Sequence, residues 1–170
     1  MTFRIAQISD THLSAEKPFF VGNFERIGEA LRAIPPDLVL NSGDISLSGE
    51  SKESDLSAAR ALHEAIGLPV RFLPGNHDLG DSQDLAAHGA AVITDERRAR
   101  YLAHFGADFW TLDVPGWRLL AINTQLLGSD LAAAADQEDA IVEATASLGA
   151  RKLALFLHMR CLTRRPTSPR

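Results

Sequence analysis

The chain has 170 residues, 45% of them hydrophobic and 23% charged, and a formal net charge of −5. That length gives one domain with a real core, and the composition excludes a disordered or collagen-like chain. The acidic balance argues against stable nucleic-acid binding, which relies on lysine and arginine against the phosphate backbone. A phosphate can still be held by an acidic chain through metal ions.

The elements alternate along the chain. "FRIAQIS" (3–9) is a β-rich run, and "NFERIGEALRAI" (23–34) has helical apolar spacing at Phe24, Ile27, Leu31 and Ile34, stopped by Pro35 and Pro36. "DLVLNSGD" (37–44) is a buried strand, "ESDLSAARALHEAIG" (53–67) a helix ended by Gly67, and "PVRFLPGNHD" (69–78) a third strand. This order implies βαβ units and a parallel sheet. After a long loop over 79–94, "DERRARYLAHFG" (95–106) is a helix. "FWTLDVPGWRLLAINTQ" (109–125) is a hairpin turning at Pro115-Gly116. "DQEDAIVEATASLG" (136–149) is a helix and "RKLALFLH" (151–158) a final buried strand. The tail "RCLTRRPTSPR" carries Arg160, Arg164, Arg165 and Arg170 with no acidic residue, and 159–170 reads as a basic, disordered end.

In a parallel sheet, binding sites form beyond the carboxyl ends of the strands. Four strands end in polar side chains: Asp10 and His12 in "ISDTH", Asp44 in "NSGD", Asn76 and His77 in "PGNHD", and His158 in "LFLH". Taken singly, Asp10 is an ordinary turn cap, Asp44 a loop aspartate and His158 a core histidine. Together, two carboxylates, an amide and three imidazoles on one rim are costly to desolvate unless cations neutralise them. Asp10 and His12 are two apart, so in extended chain they face one side and grip one ion. Asp44 follows Gly43 and has two oxygens with which to bridge two ions. Asn76 offers a neutral oxygen and His158 an imidazole to the second ion. His77 is left to face the substrate, with Asp78 orienting it. Two such ions clamp a phosphoryl group and generate hydroxide near neutral pH. An aspartyl-phosphate mechanism needs Asp-x-Asp, and this chain has Asp10-Thr11-His12. His63, His88 and His104 read as non-ligands, Phe105, Phe109 and Trp110 as core, and Glu96 to Arg100 as a solvated helix face.

The blocks "ISDTHL", "NSGDIS" and "PGNHD", in that order, resemble the signatures of the calcineurin-like metallophosphoesterase superfamily. With "INTQ" the chain is most similar to the cyclic-nucleotide and glycerophosphodiester phosphodiesterase branch. The resemblance runs from residue 3 to 158. It implies a metal-dependent phosphodiesterase acting on a cyclic nucleotide or other small phosphodiester, with two ions of manganese, iron or zinc. The implied ligands are Asp10, His12, Asp44, Asn76 and His158 and the implied catalytic residue is His77, to which the reading of the residues adds Asp78 as its catalytic partner. The implied fold is a four-layer α/β/β/α sandwich, of which 1–158 would be the N-terminal part. Family members close the site with Gly-His-x-His, and no histidine follows His158 here. The expectation is therefore an incomplete sandwich from a truncated or frameshifted gene or a fragment; its alternative function is a weak or inactive remnant. No apolar run nears the roughly twenty residues of a membrane helix, and the N-terminus lacks the form of a signal peptide. With the single Cys161, a cytoplasmic protein without membrane partners is expected.

Overall fold

The computed structural model describes residues 2–83 and 90–159. The basic tail from residue 160 onward, and His88 in the loop, lie outside the described residues. In chain order the elements are β1 (Ile5–Ile8), α1 (Val21–Ala33), β2 (Leu38–Asn41), α2 (Glu53–Glu64), β3 (Val70–Phe72) and α3 (Asn76–Leu79). They continue with α4 (Asp95–Phe105), β4 (Trp110–Val114), β5 (Trp117–Ala121), α5 (Ala132–Ala146) and β6 (Lys152–Phe156).

The strands form two three-stranded sheets, β1-β2-β3 and β4-β5-β6. The first is parallel throughout, with Ile5 beside Leu38 and Val39 beside Val70. In the second, β4 and β5 are an antiparallel hairpin, and β6 returns through α5 to lie parallel to β5. The strand ending at His158 therefore belongs to the second sheet. It does not extend the first one, as a single-sheet rim would have required.

Period-two alternation decides what each sheet buries. From β2, Leu38 and Leu40 meet Trp110, Leu119 and Ala121 of the other sheet in a core between the two. The far side of the first sheet is covered by Phe24 of α1, Leu56 and Ala59 of α2, and Tyr101 and Phe105 of α4. Beneath the second sheet, Leu120 and Ile122 pack on Ala144 and Ile141 of α5. The result is helix, sheet, sheet and helix in four layers. On β6, Leu153 and Leu155 remain exposed, and among the described residues only β5 pairs with it.

Three local differences from the sequence expectations have identifiable causes. The third strand stops at Phe72, not at 78, because Pro74 has no N–H to extend a ladder. The chain then turns into α3, where the Asp78 carboxylate reaches back to accept the Gly75 N–H at 2.8 Å. Helix α5 begins at Ala132 instead of 136, since the run Ala132 to Ala135 has the highest helix propensity. The face Glu96 to Arg100 is not simply solvated: Arg97 and Arg100 both donate to the Glu50 carbonyl, at 2.9 and 2.7 Å. Arg98 forms a two-pronged pair with Asp108, itself 1% exposed.

Candidate metal centre

The loops after β1 and β2 stay bonded to each other beyond the strands. Asp10 N–H donates to the Gly43 carbonyl at 3.0 Å, His12 N–H to that of Asp44 at 3.0 Å, and Leu13 N–H to that of Ile45 at 2.9 Å. These bonds hold Asp10, His12 and Asp44 in left-handed backbone, with φ of 55°, 41° and 50°. Such a conformation in a non-glycine residue costs on the order of 1 kcal/mol or more and persists where surrounding bonds impose it.

Two glycines let the walls close up. Gly43, at φ 115°, has no room for a side chain, since a Cβ there would lie 2.4 Å from His158 Nδ1. At Gly75 a Cβ would lie 2.1 Å from Asp44 Oδ1. Backbone of one loop thus passes directly against the side chains of the others.

Asp44 sits at the middle of the cluster and is 5% exposed. Its Oδ1 accepts the His77 N–H at 3.0 Å and lies 3.3 Å from His158 Nε2, while Oδ2 lies 3.7 Å from His12 Nε2. Burial alone would raise the Asp44 carboxyl, but the hydrogen bond and charge of His158 with the His77 N–H outweigh it. The carboxyl is held below its usual range. For His158, burial would lower the imidazole, and its bond to Asp44 overrides that and raises it. His158 Nδ1–H donates to the Ser42 carbonyl at 3.0 Å, which leaves Nε2 aimed at the cluster. His77 is oriented the same way, Nδ1–H on the Leu47 carbonyl at 2.7 Å and Nε2 free.

The ligand atoms fall into two groups sharing Asp44: His12, Asp44 and His77, and Asp10, Asp44 and His158, each within 4.8 Å. Asp10 and His12 fall in different groups, and their backbone is left-handed, not the extended chain on which same-side alternation rests. Asn76, half-buried, is the first residue of α3, between Gly75 and His77, whose backbones both abut the Asp44 carboxylate.

The donor set of carboxylate, amide oxygen and imidazole suits a divalent cation. The His12 Nδ1 is buried without a hydrogen-bond partner among the described residues, and His158 Nε2 and Asp44 Oδ1, 3.3 Å apart, are both atoms a metal can take as ligands. The residues fit metal ions.

Asp78 plays another part than orienting His77. Fully buried, it accepts the N–H groups of Ile45, Ser46 and Gly75 and the Ser46 hydroxyl, at 2.7 to 3.1 Å. Burial pushes its carboxyl up, and those four bonds oppose the rise. A carboxylate was needed to tie the Asp44 loop to the Gly75 turn, and the Leu47 carbonyl took the place beside His77. Asn41 was missed by sequence reasoning. Its side chain is buried under the site, donating to Thr11 Oγ1 and His63 Nε2 and accepting the Gly43 N–H. An asparagine in an otherwise apolar strand was the available signal. The "INTQ" stretch is also buried, with Asn123 bonded to Asp108 and Gln137.

Residues 3–133 match the calcineurin-like phosphoesterase family, and the chain belongs to that family. The matched span holds Asp10, His12, Asp44, Asn76, His77 and Asp78, and His158 lies beyond it. The chain is 30% identical over 138 residues to the 3′,5′-cyclic adenosine monophosphate phosphodiesterase CpdA of Escherichia coli (strain K12). That alignment covers 74% of this chain and 43% of that protein. It is 25% identical over 163 residues to CpdA of Pseudomonas aeruginosa, covering 91% of this chain and 54% of the other. The chain thus spans about half the length of the curated relatives it matches. Among solved structures, the purple acid phosphatase PPD1 from yellow lupin (Lupinus luteus) seeds shares the fold. Its TM-score is 0.59 at 16% identity, over 92% of this chain and 30% of that one. No helix among the described residues is long and apolar enough to cross a membrane.

Proposed function

We propose that the chain is a metal-dependent phosphoesterase acting on a cyclic nucleotide or another small phosphodiester. The observation that carries this reading is Asp44, a buried carboxylate shared by two groups of possible metal ligands. The family match supports the reaction class, and the likeness to cyclic adenosine monophosphate phosphodiesterases supports the substrate class. A cytoplasmic location goes with it, the single Cys161 suiting a reducing compartment.

In this reading Asp44 would be shared by two ions of manganese, iron or zinc, and Asp10, His12, Asn76 and His158 would be the other residues that hold them. The ions would supply positive charge for the phosphoryl group and a water acidic enough to attack near neutral pH. His77 faces the substrate. Its Nδ1–H is fixed on Leu47, so Nε2 is the atom that holds or gives up a proton at the leaving oxygen. Asp78 acts through the backbone, keeping Ile45, Ser46 and Gly75 in place around Asp44.

The test is metal content beside turnover. Equilibrated with manganese, the chain is expected to bind metal and to hydrolyse 3′,5′-cyclic AMP or bis(4-nitrophenyl) phosphate. Asp44→Ala is expected to lose all bound metal, and an unchanged content would refute the bridging role. His77→Ala is expected to keep its metal and lose about 10²–10⁴ in rate. Parallel loss of metal would make His77 a ligand, as its place beside His12 and Asp44 permits. Metal retained by the wild-type chain with neither ester hydrolysed would reduce the protein to a metal-binding fold.

A further inference from the structure

Beside the metal centre the chain displays two neighbouring phenyl rings. Phe19 is 74% exposed and Phe20 41%. The Phe20 ring lies 6.1 Å from that of His12, tilted by 47°, and His12 meets His77 edge-on at 4.6 Å. An apolar ring therefore continues the line of imidazoles from the ligand cluster outward.

Neither helix chemistry nor core packing accounts for Phe20. It occupies the position before α1 where serine or aspartate would cap the free N–H groups, and it makes no side-chain cap. The loop that presents it is fastened. Asp55, 1% exposed, accepts the Ser14 hydroxyl at 2.8 Å and the Ala15 N–H at 3.0 Å. Ser14 Oγ in turn accepts the N–H groups of Glu16 and Lys17, and the Val21 N–H closes a turn on the Pro18 carbonyl. The exposure of the two rings is built in by these bonds.

Resting on the phosphoesterase reading above, we propose that Phe20, flanked by Phe19, is the platform on which the base of a nucleotide substrate stacks. A phosphoryl group at the ligand cluster leaves the rest of the substrate extending past His12. A planar ring one sugar away then finds an apolar face instead of water. Stacking of a base on an aromatic side chain is tolerant of base identity, and it strengthens binding by roughly tenfold or more. A glycerol or alkyl diester lacks the ring and gains nothing from Phe20. The residue thus selects nucleotides over aliphatic phosphoesters.

The experiment compares three ligands by calorimetry on the manganese-loaded chain: adenosine 5′-monophosphate, ribose 5-phosphate and 4-nitrophenyl phosphate. The nucleotide is expected to bind about tenfold tighter than ribose 5-phosphate. Phe20→Ala is expected to remove that difference while keeping the ribose 5-phosphate affinity, and Phe20→Trp to retain it. Should Phe20→Ala melt early, Phe20→Leu keeps the apolar bulk and is expected to lose most of the gain. Equal affinities for nucleotide and ribose 5-phosphate, or a difference untouched by these substitutions, would overturn the proposal. A gain for 4-nitrophenyl phosphate as large as for the nucleotide would overturn the assignment to a base, whose larger ring system overlaps Phe20 more. If none of the three binds with metal in place, the phosphoesterase reading falls and takes this one with it.

Discussion

Acidification should destabilise this fold through His63. The ring is 2% exposed, between Phe24 and Phe72, and both nitrogens are used in the neutral form. Nδ1–H donates to the Ala59 carbonyl at 2.8 Å, and Nε2 accepts from Asn41 at 3.0 Å. A proton on Nε2 would face a donor in a dry core. Burial, helped by the charge of Arg60, pushes the imidazole down to about 4, against the opposing Ala59 carbonyl. An unfolded histidine titrates near 6.5, so between these values the unfolded chain binds the extra proton. Stability is therefore full above about pH 6.5 and falls as the pH drops toward 4. The loss is about 2 kcal/mol by pH 5 and about 3 kcal/mol in all. His158 works in the opposite sense, because its raised value contributes below about pH 6.5 and fades at higher pH. The clean quantity is thus wild type minus His63→Gln, measured by urea unfolding of the metal-free chain at about pH 7.5 and pH 5. The wild type should lose about 2 kcal/mol more than the variant, or about 4–8 °C in Tm. Parallel pH profiles for the two proteins would refute the reasoning.

Gly75→Ala would place a Cβ 2.1 Å from Asp44 Oδ1 and 2.4 Å from its backbone nitrogen. It should cost about 1–3 kcal/mol and weaken manganese binding at least about tenfold; an unchanged affinity in a chelator competition would count against the close-approach argument. Asp78→Asn turns an amide NH₂ toward donors and should destabilise by about 3 kcal/mol in urea, whereas a change below about 1 kcal/mol would show that the clamp is not needed. Arg98→Met strands Asp108 in the core at a cost of about 3 kcal/mol, and adding Asp108→Asn should restore most of it. A double variant no more stable than the single one would exclude the buried charge as the cause.

Legibility in the sequence followed the range of the interactions. Asp10, His12, Asp44, Asn76, His77 and His158 were findable because each stands where an apolar run meets a loop, and the structure gathers Asp10, His12, His77 and His158 around Asp44. The hairpin was readable from Pro115-Gly116 and its flanking alternation. Partners that are backbone carbonyls were not, since Leu47 beside His77 and Glu50 beside Arg97 act through atoms every residue carries. Nor was the left-handed backbone at Asp10 and His12, which is imposed by bonds to residues 43 and 44. The place of β6 depended on which of two sheets offered a free edge, a choice made by the hairpin and invisible in "LALF" itself.

The division of the ligands between the two sheets sets an order in time. The group His12, Asp44 and His77 lies within the β1-β2-β3 part of the chain, whereas the group with Asp10 waits for His158 at the end of β6. Between residues 77 and 158 a ribosome adds 158 − 77 = 81 residues, which takes about 4–16 s at typical rates of synthesis. During that interval a nascent chain has the residues of the first group and lacks His158, so the Asp44 carboxylate is without the imidazole that lies 3.3 Å from it in the folded protein.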